Sequence, residues 1–202
     1  MVMGHLRRPR RHDLRGEWDM PPRRRFCLWS LVGCLAVVGV AARAADSLAS
    51  DARVKADYLH KFLGFVQWPA GAQAGPDAPH VVAVLGAEEV LAELKQLAAA
   101  RGPVQPGGRP VEVRRVAPGD ALQGVHLLHV GRGVQLRAPE ALRTWPLLVV
   151  TDSRTGLPDW AMVNFVDVDR RVRFEVSQQA AERAGLKLSA RLLAVAVRVV
   201  AP

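Results

Sequence analysis

Three short apolar runs set the tightest limit on how this chain can fold. They are His80 to Leu85 (HVVAVL), Val125 to Val130 (VHLLHV) and Leu147 to Thr151 (LLVVT). Each is apolar on both alternating faces, so each reads as a strand buried on both sides. Strands of that kind belong in a parallel sheet whose two faces are covered.

Helical spacing separates the runs. Glu88 and Glu89 open Ala87–Ala100, where acids suit the positive end of a helix dipole, and Val90, Leu91, Leu94 and Leu97 form its inner face. Gly102 ends it, with Pro103 beyond. Val134–Leu142 predicts a short helix. Ahead of the sheet, Ala52 to Trp68 carries Val54, Tyr58, Leu59, Phe62, Leu63, Phe65 and Val66 at steps of three and four, and Pro69 ends that helix. A fourth strand pattern, Val111 to Val116, follows the Pro106–Pro110 turn.

The last third changes character. Ala161–Val168 and Arg171–Val176 alternate apolar and polar around Asp169-Arg170, the pattern of a hairpin, with Val172, Phe174 and Val176 inward and Arg171, Arg173 and Glu175 outward. A helix follows from Ser177 to near Gly185. Leu188, Leu192, Leu193, Ala196, Val199 and Val200 then form a closing helical stripe, which Lys187, Arg191 and Arg198 keep from spanning a membrane. The expected architecture is α/β: one domain, a mixed and mainly parallel sheet flanked by helices, a C-terminal hairpin and a closing helix.

The net charge of +9 is unevenly placed. Residues 1–44 hold nine of the 28 basic groups and three of the 19 acidic ones, leaving +3 on the other 158 residues. The body carries no basic stripe interleaved with aromatics, which argues against a nucleic-acid partner. Arg23–Arg25, the apolar run Phe26 to Val40 and the small-x-small triplet Ala42-Arg43-Ala44 have the three-part layout of an export signal. The expected division is therefore a signal over 1–44, removed after Ala44, and a periplasmic domain over 45–202. Met20 is an alternative start, giving a compact signal. Both cysteines, Cys27 and Cys34, lie in the leading segment, so its removal leaves no thiol for a disulfide, a nucleophile or a metal.

The body offers little catalytic chemistry. His126 and His129 are three apart, and on a strand such positions point to opposite faces. Gly131-Arg132-Gly133 lacks the third glycine of a dinucleotide fingerprint. Asp167 and Asp169 flank the hairpin turn. No serine sits in a nucleophile elbow. The expectation is no catalytic residue, no metal and no cofactor. Asp152 ends a buried strand, and together with Gly131 it marks the crevice where open α/β sheets bind ligands. Trp68, Trp145 and Trp160 are either core residues or contact anchors.

Several blocks together resemble the YfiR-like family of periplasmic proteins. They are Val54-Lys55-Ala56 with Tyr58-Leu59, Lys61 through Pro69, Val84-Leu85-Gly86, Gly108-Arg109-Pro110-Val111, His126-Leu127-Leu128, Leu148 through Asp152, and Arg173-Phe174-Glu175-Val176 onward to Leu192-Leu193. The resemblance implies a periplasmic α/β domain, often a homodimer. Its role would be to repress an inner-membrane diguanylate cyclase by binding that enzyme's periplasmic part, with an outer-membrane lipoprotein able to relieve the repression. Val125 stands where the family commonly has Cys, which removes redox control through a disulfide. Trp160-Ala161-Met162 replaces the family's glycines before the hairpin, so partner choice differs. Under this resemblance the partner contact is expected on the hairpin's outward side, at Trp160, Val163 and Glu175. The alternative function is binding of a small ligand in the crevice of Gly131 and Asp152.

Overall fold

The computed structural model describes residues 49–201, apart from 73, 74, 76, 77, 102–108, 135 and 137–139. The expected export segment, its expected cleavage site and both cysteines lie outside the described residues. The body, Ala44–Pro202, is one compact unit.

Helix α1 spans residues 49–65 and runs into a two-residue strand, β1 (Val66–Gln67). Then come β2 (His80–Leu85), α2 (Glu88–Arg101), β3 (Val111–Arg115), β4 (Leu127–Val130), α3 (Glu140–Thr144) and β5 (Leu148–Thr151). The last third holds β6 (Val163–Val168), β7 (Arg171–Ser177), α4 (Gln178–Arg183), β8 (Lys187–Leu188), α5 (Ala190–Val195) and β9 (Arg198–Val200). The seven-stranded sheet has the order β3-β2-β4-β5-β6-β7-β9. From β3 to β6 every pairing is parallel; β6 and β7 are antiparallel, and β7 and β9 are parallel. The expected fold class holds.

Period-2 alternation sorts the three apolar runs between two cores. Val82, Leu127, Leu148 and Val150 face α1, whose Ala52, Ala56, Leu59, Phe62 and Leu63 are buried against them. Tyr58, Phe62, Phe165 and Phe174 pack ring to ring there, Phe62 and Phe174 edge-on at 5.1 Å. Ala83, Leu85, Leu128, Val130 and Val149 face the other way, toward Val116, Val125, Leu142, Leu147 and the half-buried Trp145 and Trp160. The hairpin turn is two residues long, with Val168 opposite Arg171; Asp169 (φ 51°) and Arg170 (φ 59°) take the left-handed conformation that a twisted two-residue turn demands.

Four expectations need correction. The first helix stops at residue 65, because Val66-Gln67 pairs instead with Lys187-Leu188 and the residue before Pro69 disfavours helix. Helix α3 begins at Glu140, not Val134; Val134 and Leu136 lie outside it and pack on the second core. The proline at 139 suits a helix that starts beside it and opposes one that runs through it. The closing helical stripe divides: only Ala190–Val195 is helical, while Lys187–Leu188 and Arg198–Val200 are strands, so Val199 and Val200 belong to a sheet edge. Finally, Glu175 does not face out; it is buried (6% exposed).

Candidate functional site

Strands β2, β4 and β5 run parallel, so their carboxyl ends share one side of the sheet. Gly86, Gly131 and Asp152 follow those ends directly. A cleft of about 880 Å³ opens there, lined by Gly131, Arg132, Gly133, Thr151, Asp152, Arg154 and Trp160 among others. The two residues expected to mark a crevice thus line the same cleft. They do different things in it. Gly131 is where two backbones meet: a Cβ added to it would lie 2.2 Å from the Gly86 carbonyl oxygen, and its N–H donates to Leu85 O at 2.8 Å. Only glycine fits.

Asp152 is an ion-pair hub and no simple loop cap. Lys55 Nζ, reaching over from α1, donates to Oδ2 at 2.7 Å, and an Arg132 guanidinium N–H donates to Oδ1 at 3.0 Å. Arg132 also lies 3.7 Å from Asp167. Burial alone would raise the Asp152 carboxyl; the Lys55 hydrogen bond and charge, aided by Arg132, outweigh it and hold the group below its ordinary value. Beneath the hub, His129 is fully buried, 5.9 Å from the Phe165 ring. Its burial, reinforced by the Lys55 charge and opposed by Asp152, lowers it to about 4, so it is neutral at pH 7.

His126 lies directly before the amino end of β4, on the other side of the sheet's strands from the cleft. It packs with Trp68 and His80 in a buried ring cluster, His80 to His126 at 5.2 Å and 90°. Val81 N–H donates to His126 Nδ1 at 3.1 Å, which leaves the proton of the neutral ring on Nε2. Burial first, then its neighbour His126 and Arg109, lower His80 to about 4. His126 and His129 thus serve separate clusters at the two ends of one strand, and no group of three metal-ligating side chains occurs among the described residues.

The contact face expected from Trp160, Val163 and Glu175 is not one surface. Val163 is fully buried in the first core. Glu175 accepts from Asn164 Nδ2 at 2.9 Å and from Arg198 Nε at 2.8 Å. Asn164 in turn accepts from Ser153 N–H and donates to Ser153 O, so this network runs from β9 to the cleft wall. Trp160 alone reaches the cleft, half-buried at its rim. The sequence reasoning missed Lys55, Arg132 and Asn164 as partners in these networks. One signal was present for Lys55: it lies three residues after Ala52 and four before Leu59, beside the buried face of α1.

The model of a family described as YfiR/HmsC-like matches residues 52–197. No curated protein matches the chain.

Proposed function

Because this chain belongs to the YfiR/HmsC-like family, we propose that it is a periplasmic repressor of an inner-membrane diguanylate cyclase, acting by contact with that enzyme's periplasmic part and lowering cyclic-di-GMP. The family match over residues 52–197 carries this reading, since it takes in every element that builds the cleft and all of the sheet but the last strand. A body outside the membrane cannot touch a cytoplasmic catalytic domain. Repression therefore requires tighter binding to the cyclase's inactive state than to its active one. Of the three contact residues expected from sequence, Trp160 is the one still able to reach a partner. We place the contact at the cleft rim, where Trp160 stands beside Arg132 and the exposed Arg154. An outer-membrane lipoprotein competing for the same rim would relieve repression.

Deleting the gene should raise cyclic-di-GMP and surface attachment. Trp160→Ala and Arg154→Glu should raise them partly while leaving the melting temperature of the body within a few degrees of wild type. Unchanged cyclic-di-GMP in the deletion strain, across several growth conditions, would refute the repressor reading.

A second reading is favoured by the cleft itself. Its volume falls in the range of small-molecule sites, and it sits at the carboxyl ends of parallel strands. A periplasmic extract fraction that raises the melting temperature of the wild type but not of Trp160→Ala would support a bound small ligand.

A further inference from the structure

Beside the second core, near the carboxyl ends of β2 and β3, lies a cavity of about 300 Å³. The buried Leu85, Val116, Leu128 and Leu142, with the half-buried Leu122 and Trp145, form its apolar wall. Leu136 lines both this cavity and the cleft at Asp152; the rest of the two walls is different. The cavity's charged and amide side chains are Asp120 and Gln123, both exposed, so they stand at its mouth. Ala117 N–H donates to Asp120 Oδ2 at 2.7 Å and fixes the carboxylate there. Among the described residues no cation pairs with Asp120. Arg114 donates to the Gln123 carbonyl at 3.2 Å and does not line the cavity.

We propose that this cavity binds a small primary amine with an apolar body, the body among the leucines and the ammonium on Asp120. Water in an apolar hollow finds few hydrogen bonds, so an apolar group that displaces it gains affinity. A dry cavity of about 150 Å³ already takes benzene, and this one is large enough for a ring with a short arm. The arm brings the head group to the mouth, where an ammonium donates a charge-assisted hydrogen bond to the open carboxylate oxygen. An acid of the same shape would set a second carboxylate beside Asp120 and be repelled. Bound there, the amine bridges the β3–β4 loop, which carries Asp120 and Leu122, to Leu142 of α3.

Phenethylamine added to the purified protein at millimolar concentration should shift the indole N–H resonance of Trp145, identified by its loss in Trp145→Phe. The resonance of Trp160, at the cleft, should stay in place. Hydrocinnamate, the matching acid, should move neither. Asp120→Asn should weaken phenethylamine about fivefold and leave the weaker binding of neutral phenethyl alcohol unchanged. Leu122→Trp, which fills the cavity, should abolish both; should that variant unfold, the Asp120→Asn comparison decides alone. No shift of Trp145 with phenethylamine overturns the proposal. So does hydrocinnamate binding as tightly as the amine, or an amine affinity that Asp120→Asn leaves unchanged. A shift at Trp160 in place of Trp145 also overturns it, and would assign the ligand to the cleft.

Discussion

Lys55 Nζ lies 2.7 Å from Asp152 Oδ2, and this contact joins the first helix of the domain to the end of its central strands across 97 residues of chain. Both side chains are almost wholly shielded, 12% and 11% exposed. A shielded pair adds little net stability over an apolar pair of the same shape, but losing one member leaves a buried charge without compensation.

Asp152→Ala should therefore destabilise the domain by about 3 kcal/mol or more. Arg132→Ala should cost about 1 kcal/mol or less, because Arg132 is much more exposed. Lys55→Met with Asp152→Leu should recover most of the loss. Urea unfolding of the wild type, Lys55→Met, Asp152→Leu and the double variant measures it, and additivity of the two single changes would show that the pair is not coupled.

Acid should weaken the fold through its buried histidines. His129 and His80 each sit near 4 when folded and near 6.5 when unfolded. The unfolded chain thus takes up protons below about 6.5 that the folded chain refuses until about 4, so stability is full above that window and lost as pH falls through it. Fully buried His129 alone is worth up to about 3 kcal/mol. His129→Leu should flatten the fall in melting temperature between pH 7 and 4.5, and an unchanged slope would assign the acid sensitivity elsewhere.

Gly131→Ala should destabilise strongly, about 2 kcal/mol or more, since the new methyl meets the Gly86 carbonyl and the neighbouring backbone cannot step aside. Gly119→Ala should cost about 1 kcal/mol: its φ of +95° is strained for alanine, but nothing lies within 4 Å. Thermal melts of the two variants give the order.

Glu175→Arg should unfold or severely weaken the domain, because it would bury a second guanidinium beside Arg198 and break the bond from Asn164. A soluble, fully folded variant with wild-type melting would return Glu175 to the surface where the alternation in Arg171–Val176 placed it.

That last case shows where sequence patterning stops. Alternation in β7 correctly turns Val172, Phe174 and Val176 inward, and Arg171 and Arg173 are exposed as expected. It treats Glu175 as one more outward residue. It cannot see that β9 returns beside β7 and brings Arg198 onto it. The hairpin turn at Asp169-Arg170 was legible because two residues between alternating runs leave few backbone solutions. The cleft was half legible: Gly131 and Asp152 follow apolar runs, so parallel strands put them on one side, but the cations that bind Asp152 arrive from α1 and from the β4–α3 loop.

The sequence by itself determined the parallel centre of the sheet, the two buried faces of its strands and the antiparallel hairpin, because those follow from residue periodicity over a few neighbours. Only the tertiary structure decided that Val66-Gln67 leaves its helix to pair with Lys187-Leu188, that the closing stripe divides into helix and edge strand, and that Glu175 is buried. Each of these depends on a partner far away in the chain. Local spacing carries no record of such a partner, and the hydrogen bonds and ion pairs it supplies outweigh the local preference.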